Sequence, residues 1–315
     1  MSGNMISVAM TTYNGAQYIT EQLESIRMQT RKVDEIVIVD DGSSDNTVEL
    51  IRDYADKHSE FGIRLEQNET NLGYKKNFYK AISLCQGDIT FLCDQDDCWF
   101  ENKVKKMCDV LEEHSEIGVV SSAFMQMDGE GNKGERKSAY QRKLADEALV
   151  CVPIEDLIFH NISQGCAMAM RKDIKDAFIK HFDETIPHDW IINVIAGMKK
   201  KCYYWNVPMF FYRVHDNNTI GLNDNMTLNK KNTMEVRAKD ALQAKHVLDF
   251  IEKVDNAYYS ENSWLKKAKE FSLKHVKNLN ERNFVGLLLQ NFNPCYRKLK
   301  TVRGRILDLF FVLNK

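Results

Sequence analysis

Three carboxylates fall within four residues at Asp94-Gln95-Asp96-Asp97, directly after the apolar run ITFLC and before Cys98-Trp99. Carboxylates this close repel one another. A hard divalent cation relieves the repulsion, and oxygen ligands suit magnesium or manganese. The same cation would bridge to a diphosphate. Acidic clusters are also common in plain loops and at helix N-termini. Here, however, the cluster ends a hydrophobic strand, where open α/β sheets bind their ligands. A second acidic pair, Asp40-Asp41, ends another apolar run and leads into Gly42-Ser43-Ser44-Asp45. The glycine permits a turn, and Ser44 or Asp45 can cap the next helix. A cap accounts for only one of these acids. Two carboxylates at a strand end can also accept hydrogen bonds from a nucleobase N–H and from ribose hydroxyls. Neither GxGxxG nor GxxxxGK[ST] occurs, so nothing indicates a dinucleotide or P-loop site.

Groups of this kind must be carried by strands that end side by side. The first third reads as alternating strands and helices. Strands are expected at ISVAMT (6–11), VDEIVIVDD (33–41), 62–66 and DITFLCD (88–94). Between them, Tyr18, Ile19, Leu23, Ile26 and Met28 mark one helical stripe, and Val48, Leu50, Ile51 and Tyr54 mark another in a helix begun by Asp45. Residues 74–84 form a third helix. Strand–helix units of this length imply a mostly parallel sheet covered by helices. Further strands are expected at Ile117–Ala123 and GCAMAM (165–170), with helices at Arg171–Lys180 and Asp189–Met198. Pro153–Phe159 reads as a helix or turn, and DGEGNKGERK (128–137) as a loop. Pro208 is expected to break Cys202–Tyr212 into two brief strands, and the layered core to end near residue 215. From residue 230 the pattern is helical. Ala238, Leu242, Val247, Leu248 and Ile251 form one stripe, and Trp264, Ala268, Phe271, Val276 and Leu279 another.

The 315 residues are 43% hydrophobic and 28% charged, which is ordinary globular composition. The formal net charge of −2 argues against a nucleic-acid partner. Eight cysteines occur without a CxxC pair, so neither a disulfide framework nor a zinc site is expected, and a reducing, cytoplasmic setting is. MSGNMISVAMTTYNG enters a strand without a cationic, apolar leader, so no secretory signal is expected. The apolar stretch Ile306–Leu313 is interrupted by Asp308 and falls far short of the ~20 residues that span a bilayer.

VAMTTYNGAQYITEQLESI, VDEIVIVDDGSSDNT, NLGYKKNF and GDITFLCDQDDCWFENKV resemble, in order, the opening blocks of the inverting family 2 glycosyltransferases. The resemblance continues through GCAMAMRKD, HDW and YRVHDNNTIG and covers roughly residues 5–220. The combination is specific, although each block alone is weak. DQDD before Trp, HDW, and YRxH followed by Asn-Asn look most like bacterial rhamnosyltransferases of cell-surface polysaccharide synthesis. The resemblance implies an α/β GT-A fold: a Rossmann-like, mostly parallel central sheet flanked by helices, with a C-terminal helical extension. It implies a catalytic domain over 1–220, about 1–115 for the nucleotide sugar and about 116–220 for the acceptor, and an extension over 221–315.

It also implies roles. Thr11, Tyr13 and Asn14 would lie against the nucleotide. Asp41 would contact base or ribose, with Asp40 in support. Asn71, Leu72 and Gly73, with Lys75 and Asn77, would lie along nucleotide and sugar. Asp94 would touch ribose or donor sugar, and Asp96 would bind the metal, Mn2+ or Mg2+. Asp97 fits either the site or a helix cap. His188-Asp189-Trp190 falls where the family carries its catalytic base, commonly as Glu-Asp; Asp189 is the natural base and His188 the other candidate. His215, flanked by Arg213 and Asn217-Asn218, would complete the metal shell.

The implied activity is inverting transfer of a sugar from a nucleotide-diphosphate donor to a glycan or lipid-linked glycan, with no covalent intermediate. The expected sugar is L-rhamnose from dTDP-L-rhamnose. The alternatives are another hexose or N-acetylhexosamine from a UDP-sugar, or a non-catalytic binding module of the same fold. Residues 291–315 place Arg297, Lys298, Lys300, Arg303 and Arg305 beside a stripe of Leu299, Val302, Ile306, Leu309 and Leu313, broadened by Phe310. A basic amphipathic helix of this kind could lie on an anionic membrane, on the inner face of the cell membrane. It could equally pack on the catalytic domain or a second subunit.

Overall fold

The computed structural model describes residues 4–134, 138, 140–215 and 233–313. The boundary expected at 220/221 and the Asn217-Asn218 pair lie outside the described residues. The chain divides into two compact units, 1–152 with 163–221, and 153–162 with 222–315.

In the first unit, ten strands form one mixed sheet: β1 (Ile6–Thr12), β2 (Glu35–Asp40), β3 (Ile63–Gln67), β4 (Ile89–Asp94), β5 (Cys98–Trp99), β6 (Val119–Asp128), β7 (Lys133–Gly134), β8 (Leu149–Cys151), β9 (Met168–Arg171) and β10 (Cys202–Val214). The order is β3-β2-β1-β4-β9-β6-β10-β5, with β7 on β6 and β8 on β10. The first four strands are parallel. Beyond them β9 runs antiparallel to both β4 and β6. Every residue of β1 is buried, as befits a strand covered on both faces. Because β2 and β4 flank β1 on opposite sides, the strand order reverses there. The crevice at such a switch point, outside the carboxyl ends, is where this architecture binds ligands.

Helices α1 (Ile19–Arg27), α2 (Thr47–Lys57), α3 (Tyr74–Leu84) and α4 (Lys103–Glu113) follow the first strands. The short α5 (Ile154–Leu157) belongs to the second unit, whereas α6 (Lys172–Lys180) and α7 (His188–Met198) return to the first.

Pro208 does not break the last strand. It shifts the β10–β6 register on either side of itself, so the ladder absorbs the missing N–H as an irregularity and continues to Val214. Residues 165–167 form a short 3-10 turn ahead of β9 rather than its first residues.

The second unit contains α8 (Met234–Val254), α9 (Asn256–Glu261), α10 (Ser263–Asn280), α11 (Phe284–Gln290), α12 (Pro294–Leu299) and α13 (Val302–Leu313). Ala238, Val247, Leu248 and Ile251 of the expected α8 stripe are buried, but Leu242 is 40% exposed. Ala238 joins Leu279, Leu287, Phe311 and Val312 in one apolar cluster. Among the described residues no helix is long and apolar enough to cross a membrane, and all eight cysteines are free.

Candidate active site

Three strand ends meet at the switch point. After β1, the chain turns at Asn14, whose φ of 50° lies in the left-handed region that asparagine tolerates. Asn14 Oδ1 accepts the Ser44 backbone N–H at 2.8 Å, and the Asn14 N–H donates to Ser43 Oγ at 2.8 Å. The Tyr13 N–H donates to Gln95 Oε1 at 2.8 Å, and Gln95 Nε2 returns a bond to the Tyr13 carbonyl at 3.1 Å. Tyr13 is left 47% exposed, while Thr11 is buried. A Cβ on Gly15 would fall 2.1 Å from Gln95 Oε1, so glycine is required for this approach.

The two acids after β2 have different partners. Asp40 is fully buried and accepts from the Gly42 and Ser43 N–H groups at 3.1 and 2.9 Å, and from Thr12 Oγ1 at 2.8 Å. Its bonds shape the turn, which needs Gly42 at a φ of 79°. Asp41 accepts from Asn68 Nδ2 at 2.9 Å and from the Leu72 and Gly73 N–H groups at 2.8 and 2.9 Å. It thereby holds the 71–73 segment against the β2 end. Asn71 Oδ1 also accepts the Gly73 N–H at 3.0 Å. Lys75 Nζ donates to the Glu184 carbonyl at 2.8 Å. Asp45 accepts the Thr47 N–H at 3.1 Å just ahead of α2.

The DQDD cluster follows β4. Asp96 Oδ2 lies 2.9 Å from His215 Nε2, and both side chains remain 14% exposed. At this distance the two atoms share a hydrogen bond; a carboxylate oxygen and an imidazole nitrogen that converge in this way could instead both turn to one divalent cation. Asp94, Asp97 and Cys166 form a second cluster whose ligand atoms all lie within 4.8 Å and could hold a divalent cation. Its chemistry is less suited to a hard ion. Burial, then the charges of Asp97 and Asp94, hold the Cys166 thiol well above its ordinary value, so its sulfur stays protonated. Asp97 is also pushed well above the usual carboxylate range, by burial first and then by Asp96 and Asp94. Asp97 is no helix cap. It precedes the short β5, and its Oδ1 accepts the Arg213 backbone N–H at 3.2 Å. The Asp94 carboxyl is pushed up to about 7 by burial and Asp96, with a smaller push from Asp189. The Asp189 charge is therefore felt at Asp94.

Asp189 stands in the first turn of α7, and its Oδ1 accepts the Trp190 N–H at 2.8 Å. Its charge also helps to raise the Tyr74 phenol to about 12, after burial. His188 points elsewhere. It is buried and stacked on Phe78 at 4.0 Å between ring centroids, and neither ring nitrogen has a hydrogen-bond partner. Burial, with a smaller push from Lys75, lowers its pKa to about 3. That makes it a poor base at neutral pH.

The model of the Glycosyl transferase family 2 matches residues 7–178, more than half of the chain. The chain belongs to glycosyl transferase family 2. It is 29% identical over 244 residues to the dTDP-rhamnosyl transferase RfbG of Shigella flexneri, covering 73% of this chain and 80% of the relative. It is 33% identical over 135 residues to the putative glycosyltransferase EpsE of Bacillus subtilis, covering 43% of this chain and about half (48%) of the relative. Among solved structures, S. aureus TarS 1-349 in complex with UDP is similar, with a TM-score of 0.57, 18% identity, and coverage of 98% of this chain and 89% of the other. The mannosyltransferase PcManGT from Pyrobaculum calidifontis, in complex with GDP-Man and Mn2+, has a TM-score of 0.55 at 17% identity, over 100% and 88% of the two chains. At such identities the structures share the fold.

This glycosyltransferase also has two buried cations, Arg213 and Lys103, whose partners the sequence did not show. Arg213 is 2% exposed and ties four elements together. Its Nε donates to the Asp96 carbonyl at 2.8 Å, its Nη1 to the Asp128 carbonyl at 3.4 Å and its Nη2 to Glu21 at 2.6 Å. Its guanidinium covers the Tyr18 ring at 4.5 Å, and Tyr18 in turn packs beside His215, 5.0 Å between centroids. Lys103 is fully buried, donates to the Cys166 carbonyl at 2.7 Å and lies over the Trp99 and Phe210 rings at 4.0 and 4.4 Å.

Gly165 separates β4 from the start of α7. A Cβ there would lie 2.7 Å from His188 Nε2 and 3.7 Å from Asp189 Cβ. His188 cannot swing away because Phe78 stacks on it. Gly165→Ala is therefore expected to cost about 1–3 kcal/mol through overpacking and to lower turnover more than donor affinity, because the methyl displaces the start of α7. Urea unfolding and steady-state kinetics check this; unchanged stability and turnover would show that the contact is slack.

The buried His188 ring also gives the enzyme an acid limit. The unfolded chain protonates this ring near its ordinary value of 6.5, whereas the folded chain resists to about 3. The unfolded state thus binds the extra proton between those values. Stability is full above pH 6.5 and falls as pH drops, by about 2 kcal/mol from this ring at pH 5. In urea unfolding at pH 7 and pH 5, His188→Gln should flatten part of the drop; an identical drop in both proteins would assign it to other groups.

Proposed function

We propose that the chain transfers a hexose other than rhamnose, or an N-acetylhexosamine, from a nucleoside-diphosphate donor to a hydroxyl of a growing glycan or lipid-linked glycan, with inversion at the anomeric carbon. One observation carries this most: the Asp96–His215 pair at 2.9 Å, beside Asp94 and within electrostatic reach of Asp189. On this reading a base and a cation site would stand together at the switch point. Residues 1–220 would form the catalytic domain, about 1–115 for the donor and about 116–220 for the acceptor, with 221–315 as an extension.

Thr11, Tyr13 and Asn14 would meet the nucleotide from the β1 end. Asp40 would hold the turn, and Asp41 would present the 71–73 segment, with Lys75, toward the donor. Asp94 would accept a hydroxyl of ribose or donor sugar. Asp96 and His215 would hold Mn2+ or Mg2+, with diphosphate oxygens completing the shell. The cation supplies charge neutralisation on the departing β-phosphate. Asp189 would take the proton from the acceptor hydroxyl as that oxygen attacks the anomeric carbon from the face opposite the diphosphate. The cytoplasm supplies nucleotide sugars, and the protein would work there, at the inner face of the membrane.

For the donor, TarS has been solved with UDP-GlcNAc and PcManGT with GDP-Man, which supports a hexose or N-acetylhexosamine. The second reading, L-rhamnose from dTDP-L-rhamnose, rests on the likeness to RfbG. A panel of UDP-GlcNAc, UDP-glucose, UDP-galactose, GDP-mannose and dTDP-L-rhamnose, followed by released nucleoside diphosphate, separates them. Turnover with a hexose or N-acetylhexosamine donor is expected. Turnover with dTDP-L-rhamnose alone would establish the second reading in place of the first, and turnover with none would overturn both.

A further inference from the structure

The C-terminal helices turn their apolar sides outward. On α11, Val285, Leu288 and Leu289 are 62, 47 and 62% exposed, and Phe292 just beyond it is 79% exposed. Their spacing of three, four and seven residues from Val285 places them on one helical face. Leu287 and Gln290, on the opposite face, are buried. On α13, Val302, Ile306, Phe310 and Leu313 are also exposed, at 63, 47, 56 and 60%, and again fall on one face. Asp308, Phe311 and Val312 are its buried residues. The helices are neighbours, because Leu287 packs in one cluster with Phe311 and Val312.

A buried polar knot fixes this orientation. Asp308 is fully buried and accepts from Tyr296 Oη at 2.8 Å and from Lys300 Nζ at 2.9 Å, with Arg237 Nη1 at 3.4 Å. Rotating α13 to hide its apolar stripe would pull Asp308 from these partners and strand two buried cations, which is strongly destabilising. The arrangement differs from the single basic helix expected over 291–315. The chain is extended at Lys300, with φ −139° and ψ 142°, so Leu299 belongs to α12 and is buried. Lys300 is an internal partner of Asp308, and α11 adds a second apolar face upstream.

The charge of the stretch itself points to the occupant, since Glu281, the exposed acid just before it, is paired with Lys277 at 3.8 Å. From Arg282 to Leu313 the one acid is Asp308, which is buried, so the exposed charges of this stretch, Arg282, Arg297 and Arg303 among them, are all positive. Exposed apolar faces on two adjacent helices mark an interaction surface. A second copy of the chain would set like charges against one another. An anionic lipid surface complements them, with the apolar side chains entering the headgroup–acyl boundary and the guanidinium groups meeting phosphates. We propose that the outward faces of α11 and α13 dock this protein onto an anionic lipid bilayer.

Cosedimentation of the full chain with vesicles tests this. Binding is expected to vesicles of phosphatidylcholine plus phosphatidylglycerol, to weaken in high salt, and to be much poorer with phosphatidylcholine alone. The double variant Leu289→Glu, Phe310→Glu should bind at least tenfold more weakly while keeping its far-ultraviolet spectrum. Arg303→Gln, an exposed change that leaves the fold alone, should bind about fivefold more weakly, the share of one basic residue near such a surface. Absence of binding, equal binding to both vesicle types, or unaltered binding by Arg303→Gln and the double variant would overturn the proposal. A native dimer that the double variant splits, without vesicle binding, would assign the faces to a second copy instead.

Discussion

Asp96→Ala is expected to abolish transfer, lowering turnover by at least about 10³-fold, because several kcal/mol of charge stabilisation at the leaving diphosphate depend on the cation. The same change should weaken donor binding in Mn2+ or Mg2+ and leave donor binding in chelator unaltered. The fold should survive. Arg213 Nε binds the backbone carbonyl of residue 96, which alanine keeps, and the Asp96 side chain is partly exposed. Thermal unfolding within a degree or two of the wild type would separate loss of the cation from loss of structure. Full activity in this variant, or in the wild type after thorough chelation, would remove the cation from the site.

Asp189→Asn should separate chemistry from binding. Asparagine keeps an acceptor for the Trp190 N–H, so the start of α7 should hold its shape. Donor affinity is expected to stay within a few-fold. Turnover should fall by about 10² or more, because only the transition state needs the proton removed. The neighbouring His188 cannot substitute readily, being stacked on Phe78 and hard to protonate. Calorimetric donor binding beside a turnover assay decides the matter; near-normal turnover would place the base elsewhere.

In the parallel half of the sheet, β1, β2 and β4 were legible because they are buried on both faces. Continuous apolar runs such as EIVIVD and ITFLCD have few other homes. The acids at the ends of these runs were legible as a group because a carboxylate that ends an apolar strand needs partners, and Asp40 and Asp41, both buried, find them in backbone N–H groups. Less visible were residues whose role depends on three-dimensional neighbours. Arg213 was noticed beside His215, yet nothing in the sequence pairs it with Glu21, 192 residues away. Gln95 lay within the acidic cluster, but its grip on the Tyr13 backbone depends on the β1–β4 pairing. Pro208 misled because a proline can bulge a ladder as well as end it. At the C-terminus, periodicity showed that apolar residues share a face without showing which face is covered. Asp308 decides that, since a carboxylate can turn inward only where Lys300 and Arg237 meet it.

The central claim is that a nucleoside-diphosphate donor sits at the carboxyl ends of β1, β2 and β4 on a cation held by Asp96 and His215. Calorimetric titration of the wild-type chain with UDP, dTDP and GDP, in Mn2+ and again after EDTA, tests it most directly. One of the three should bind with defined stoichiometry in Mn2+ and lose most of its affinity in EDTA. Failure of all three to bind, or binding that chelation leaves untouched, would contradict the account.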